Sequence, residues 1–334
     1  MSNFSDFIGG GGGGTGFPTM YFQQSMTWAC PVAMEAMVYV IGAGGSGGQE
    51  SFQALYAANG GGAGGCAVSK LTLAAQDYTL VIGSGGASRN DYGTGVDYSG
   101  VGFAGGNTSM SGTGMTTMTG NGGGAGQWWN SGGGTKSVGG SATGGNLYNN
   151  TGGGSVNWTV NTANTRSAAG GGAVGLIGDG QDGQKNTLLS GGGGGLYRQI
   201  GLGGSCFGMN TLSEYMEGDS YSTAMDRKRS SYKLNGKVTS SVFPGLERFS
   251  DYGIDDKQKT PTGVSFLPYD YVCPPAGPFD GGMGWGANGQ VFGGSGTCGG
   301  GGGGINYGGS GQYASRPGGG GAGIIIICPL TIGA

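Results

Sequence analysis

Residues 35–48 read Glu35-Ala-Met-Val-Tyr-Val-Ile-Gly-Ala-Gly-Gly-Ser-Gly-Gly48, and the change of texture at Gly42 decides how the chain is read. Glu35 to Ile41 is rich in β-branched and aromatic residues and predicts a strand. It stops at a glycine block that no helix or strand interior favours, since each glycine there costs roughly 0.5–1 kcal/mol relative to alanine. The contrast recurs outward from this point. Cys66-Ala-Val-Ser-Lys-Leu-Thr-Leu73 alternates, and Tyr78-Thr-Leu-Val-Ile82 follows after a short polar break at Gln76-Asp77, the pattern of a hairpin or meander. Ile324 to Ile327 is a fourth strand, buried on both faces or lying between glycine segments. Gln49 to Asn59 fits one short helix or a loop.

Glycine accounts for 88 of 334 residues, about a quarter, where an ordinary soluble protein has roughly 7%. With only 10 prolines and glycines in blocks, collagen is excluded. Sixteen Tyr, 12 Phe and 5 Trp are too much apolar surface for a solvated low-complexity coil. The blocks include Asn59–Gly65, Asn121–Gly126, Ala169–Gly175, Cys298–Gly304 and Arg316–Gly323. One ordered state suits them: a polyproline-II-type helix with three residues per turn and no internal hydrogen bonds. Several such helices, lacking Cβ atoms, approach closely and satisfy one another's backbone groups. The expected fold is mainly β, with short sandwich-like strands, a packed bundle of polyglycine-II helices and few or no α-helices.

Composition also divides the chain. Between Ser205 and Asp280 there are only seven glycines, yet ten of the 18 acidic residues and more than half of all formal charges. We read 205–280 as an inserted, glycine-poor charged subdomain, 27–204 and 281–334 as the glycine-rich domain, and 1–26 as an N-terminal attachment leader. The cluster Asp226-Arg227-Lys228-Arg229 reads as a solvated loop.

Catalytic and cofactor chemistry finds little purchase. There is no histidine, which removes His-based triads and His metal sites, and a net charge of −3 with a pI of 4.9 disfavours a nucleic-acid partner. Val38 to Gly47 matches the strand-then-G-x-G-x-x-G dinucleotide fingerprint. That mechanism needs a helix N-terminus at the pyrophosphate and an acidic residue about twenty positions on. The segment supplies neither, and glycine this common makes the match cheap, so no cofactor is expected. The cysteines Cys30, Cys66, Cys206, Cys273, Cys298 and Cys328 form no C-x-x-C pair and read as buried apolar residues, with a Cys206–Cys273 bridge the one alternative. Asp179 and Asp182 read as a plain turn rather than a calcium loop. Residues 1–14 lack the basic and apolar regions of a secretory signal, and no apolar window is long enough for a membrane span. The expectation is a soluble protein made in a cytoplasm, without membrane insertion.

Thr27 to Gly48 (Thr27-Trp-Ala-Cys-Pro leading through the strand into glycine) resembles the opening of glycine-rich bacteriophage tail proteins. Cys66–Leu73 followed by Tyr78–Gly86 is similar to the pair of strands that comes next in that family, and Arg316-Pro-Gly-Gly-Gly-Gly-Ala-Gly-Ile-Ile-Ile-Ile327 to its closing signature. Polyglycine-II bundles occur in tail-fibre tip adhesins of T-even-like phages and in the glycine-rich domain of anaplastic lymphoma kinase-type receptors. The receptor likeness is the poorer one, because no signal, span or kinase is present. The resemblance implies a non-enzymatic virion protein, a tail-fibre adhesin assembled in the host cytoplasm. Its implied partners are other tail subunits, a host-surface protein or polysaccharide, and other copies of itself. A purely structural virion part and a matrix-type structural protein are the alternatives.

An adhesin would present aromatic side chains, which give large contact area at small entropic cost. Trp128, Trp129, Tyr148, Trp158, Tyr197, Trp285 and Tyr307 stand in loops beside glycine, and Tyr221 and Tyr232 lie in the insertion. Each has the plainer reading of covering the bundle's apolar flank. Phe4, Phe7 and Ile8, apolar residues on a polar leader, are expected to anchor the chain to a neighbouring subunit.

Overall fold

A computed structural model describes residues 18–50, 57–89, 100–129, 136–155, 167–168, 171–176, 178–183, 199–201, 271–272, 279, 281, 284–287, 291–292, 295–296, 298–307 and 316–332. The fold is mainly β, with no helix among the described residues. Ten strands form its centre: β1 (Met20–Phe22), β2 (Met26–Ala29), β3 (Met34–Ile41), β4 (Cys66–Leu73), β5 (Asp77–Val81), β6 (Thr108–Gly112), β7 (Met118–Gly120), β8 (Ala142–Thr143), β9 (Tyr148–Asn150) and β10 (Ile324–Ile332). They make two antiparallel five-stranded sheets, ordered β1-β10-β3-β4-β9 and β8-β7-β6-β5-β2.

Why the sheets face each other follows from alternation. Tyr78 and Leu80 of β5, Met110 of β6 and Met118 of β7 turn inward, where they meet Ala36, Val38 and Val40 of β3 and Ile325 and Ile327 of β10. Phe22 and Tyr78 flank the Trp28 indole with ring centroids 5.7 Å away. The opposite face of the first sheet is also covered: Tyr39, Ile41, Val68, Ile324 and Ile326 pack against Ala173, Val174, Leu176 and Phe279. Burial on both faces explains the unbroken isoleucine run, the first of the two readings open to it from the sequence. Beyond Val38 and Ser69 this second cover ends, and the alternation of β3 and β4 resumes; there Lys70 and Glu35 form an exposed ion pair at 2.9 Å. Pro329 of β10 lies past the three residues paired with β1 and opposite Ala36 of β3, and a register shift follows it before Thr331.

Two expectations change. β4 and β5 are not a hairpin, although only Ala74, Ala75 and Gln76 separate them: β4 pairs with β3 and β9 in one sheet, β5 with β2 and β6 in the other. Leu73 and Tyr78 both bury into the core between the sheets, and that burial outweighs pairing of neighbours in sequence. The Tyr78 hydroxyl clamps the crossing, accepting from the Ala74 N–H (2.9 Å) and donating to its carbonyl (3.3 Å). The 49–59 stretch carries extended pieces at both described ends, Gln49–Glu50 and Ala57–Ala58.

At one end of the sandwich the strands run on as glycine segments: β3 into 42–48, β5 into 82–88, β7 into 121–127 and β9 into 151–155, while 59–65, 100–107, 136–141 and 316–323 lead into β4, β6, β8 and β10. The strand register carries through. Ile41 pairs with Cys66, and beyond them the N–H groups of Gly42, Gly45 and Gly48 donate to the carbonyls of Gly65, Gly62 and Asn59. Likewise Ile41 pairs with Ile324, and Gly44 and Gly47 donate to Gly321 and Gly318. Ala43 and Ser46 donate to Gly106 and Phe103, whose segment leads into the other sheet. Each direction is thus served by every third residue. Sheets sit about 10 Å apart because side chains fill the gap; where the side chains stop, the two layers close to backbone hydrogen-bond distance.

Glycine is required there by space. A Cβ on Gly44 would collide with the carbonyl of Gly300, and one on Gly64 with that of Gly42. From Gly42 to Gln49 the residues that carry side chains, Ala43, Ser46 and Gln49, recur at threes, as Ala63 and Cys66 do opposite them. Phe279, at the edge of the charged segment 205–280, is fully buried in the second core, and its carbonyl accepts from Val174. Met20–Phe22, within the stretch read as leader, forms the edge strand β1.

Candidate functional site

The topology gives the molecule two ends. The turns 30–33, 74–76 and 113–117 lie at the sandwich end, from which the chain enters toward β1 and leaves after β10. The far ends of the glycine segments carry two small sheets. In one, Trp128–Trp129 pairs antiparallel with Ala57–Ala58, which pairs parallel with Ser167–Ala168. In the other, Gly284–Ala287 lies between Gln199–Gly201 and Ile305–Tyr307, and the last of these pairs with Gln49–Glu50. Four candidate aromatics, Trp128, Trp129, Trp285 and Tyr307, are therefore brought to one end, on strands rather than in the loops expected from their glycine neighbours. Backbone pairing at the ends of the glycine segments, where a ladder can restart, accounts for the difference. Tyr148 is apart from them, on the edge strand β9 of the sandwich and 45% exposed. Trp158, Tyr197, Tyr221, Tyr232, Phe4, Phe7 and Ile8 lie outside the described residues, as do Cys206 and Cys273.

Beneath Trp128 sits a feature that the sequence does not signal. Asn59, next to the Ala58 that pairs with Trp128, is fully buried, and neither its Oδ1 nor its Nδ2 has a partner; Gln49 Oε1 is in the same condition. Unsatisfied buried amides are rare enough in folded proteins to mark a place where water or a ligand group belongs.

The segment matching the dinucleotide fingerprint is differently employed. Every N–H from Gly42 to Gly48 donates to another segment, so none faces a phosphate, and the chain continues into the extended Gln49–Glu50. The Ser46 hydroxyl accepts from the Phe103 N–H at 2.8 Å. Asp179 and Asp182 also serve the backbone: Asp179 Oδ1 accepts from Thr151 (2.8 Å), Asp182 Oδ1 from Gly154 (2.7 Å), and Asp182 Oδ2 meets Lys136 at 2.9 Å. Among the described residues no cluster of three metal-ligating side chains occurs.

Three of the described thiols, Cys30, Cys66 and Cys298, are poor nucleophiles. Burial pushes Cys66 up to about 12 and Cys298 up to about 11, and raises Cys30 against a hydrogen bond to the Val32 carbonyl that lowers it. A groove of about 410 Å³ opens at the sandwich end, with Thr72, Gln76, Thr113, Thr116, Met115 and Asn146 in its wall. Its lining carries hydroxyls and amides but no carboxylate, cation or thiol, and the Tyr78 hydroxyl within it is engaged with the Ala74 backbone.

These observations define a glycine-rich β protein in which a sandwich passes into a hydrogen-bonded glycine core. A family model described as a glycine-rich domain matches residues 19–227, and the chain belongs to that family. No curated protein matches it.

Proposed function

We propose that this protein is a non-enzymatic virion component of a bacteriophage tail, an adhesin that is fixed through its sandwich end and meets the host surface with the far end of its glycine segments. The observation that carries the reading is polarity. The described chain enters and leaves at the sandwich end, whereas Trp128, Trp129, Trp285 and Tyr307 collect at the opposite end, above the unpaired amides of Asn59 and Gln49. A recognition tip held away from its attachment needs a rigid spacer. We read the glycine segments as a polyglycine-II bundle serving that purpose. Donation by every third residue to a fresh neighbour supports this, because a three-residue turn points successive N–H groups in three directions. In this reading the leader residues Phe4, Phe7 and Ile8 contact a neighbouring tail subunit. The neutral, buried thiols and the spent N–H groups of 42–48 favour recognition over catalysis.

The test is competition. Purified protein should bind host cells and block phage adsorption, and a Trp128→Ala, Trp129→Ala double variant should lose both effects while still entering particles. Normal incorporation into tails without any cell binding by the wild type would overturn the adhesin and leave a structural part.

A further inference from the structure

No other described element covers the outer face of the second sheet, which has an unusual chemistry. Cross-strand pairs share a face, so the register Thr27–Thr79–Ser111 forms one row across the sheet and Val81–Ser109–Thr119–Thr143 a second. Six of these seven residues are hydroxyls. Strand spacing sets them about 4.8 Å apart along a row, and the rows are about 7 Å apart, two residues along each strand. Thr27, Thr79, Val81 and Thr143 are exposed and the three others are half-buried. The segment 100–107 prolongs this face. It is hydrogen-bonded to 42–48 on its inner side and to 121–127 and Ser84 on its flanks, and no other described segment bonds to its remaining side. There it presents Phe103, 52% exposed, and Val101, 39% exposed.

We propose that this face binds a neutral polysaccharide. Each hydroxyl offers one donor and two acceptor lone pairs, which matches the hydroxyl groups of a sugar chain, and an exposed ring supplies a platform for the C–H face of a pyranose. Among the described residues of this face, charged groups stand only at the margins. Asp77 lies at the sandwich end, and Arg89 at the far end, where its guanidinium donates to the Val101 carbonyl at 2.9 Å. An anionic polymer therefore has no row of cations to meet. A second copy of the chain is disfavoured too, because stable protein interfaces are depleted in serine and centre on a buried apolar cluster that this face lacks. The surface is distinct from the aromatic tip, so the inference stands or falls apart from the adhesin reading.

The experiment uses the full-length protein and no cells: electrophoretic retardation in gels containing a glucan, a galactan or a mannan, with polygalacturonate as the acidic control. Retardation by at least one neutral polymer is expected. Phe103→Ser and Thr79→Lys, each checked for an unchanged unfolding midpoint, should weaken it about tenfold. The proposal is overturned by the absence of retardation in all three neutral gels, by preference for the acidic polymer, or by variants that bind as the wild type does. A concentration-dependent dimer that Phe103→Ser dissociates would overturn it equally, since the face would then belong to a second copy.

Discussion

Strand β3 and the segment that continues it, Gly42–Gly48, are consecutive parts of one chain held in place by opposite means. In the sandwich, side chains fill the gap between two sheets, and Val38, Val40, Leu80 and Met110 lie fully buried there. In the glycine region the same chains close up until backbones bond directly in several directions, as Gly45 does to Gly62 and Gly302 does to Gly45. The first region is harmed by losing a side chain and the second by gaining one. Register is what they share: the pairing set by β3 and β4 persists from Ile41 opposite Cys66 to Gly48 opposite Asn59.

The largest expected effect lies in the sandwich. Leu80→Ala removes a fully buried side chain between the sheets and should cost about 2–5 kcal/mol, read from the urea midpoint. Next comes the reverse operation. Gly44→Ala pushes a methyl into the Gly300 carbonyl, on a neighbour whose backbone is fixed by its own bonds, and should cost about 1–3 kcal/mol. Gly319→Ala is its control: the nearest atom to an added Cβ there is 3.4 Å away, and the change should stay within about 0.5 kcal/mol. Equal effects at Gly44 and Gly319 would break the contrast between the regions.

The smallest effect near neutral pH sharpens the boundary between them, where Cys66 sits. Well below pH 9 its thiol is protonated in folded and unfolded chains alike and contributes no pH dependence. Between 9 and about 12 the unfolded chain releases the proton while the folded one keeps it, so stability should fall as pH rises through that window. Peptide-resolved alkylation at pH 8 should accordingly leave Cys66 and Cys298 unmodified until the protein is denatured.

The strands read at 35–41, 66–73, 78–82 and 324–327 coincide with those at 34–41, 66–73, 77–81 and the first half of 324–332, because β-branched residues and a period of two report local backbone preference. The partners of β4 and β5 were not legible in the sequence. Proximity in the chain suggested a hairpin, whereas the burial of Leu73 and Tyr78 in a shared core put them in facing sheets. The outer hydroxyl rows were equally hidden. Thr79, Ser109 and Thr119 are unremarkable singly, and only register makes them neighbours. Among the candidate aromatics, glycine neighbours suggested loops for Trp128 and Trp285, and pairing across distant segments made strands of them.

By itself, then, the sequence determined a chain of short strands interrupted by glycine too dense for helix or sheet, and one without histidine. Composition and short-range periodicity carry that much, because they act through each residue's own backbone and side chain. The tertiary structure alone decided which glycine segments lie together. A glycine block has no side chain with which to specify a partner. Gly42–Gly48 meets 59–65, 100–106 and 318–321 because the sheets before it have already fixed where those segments lie.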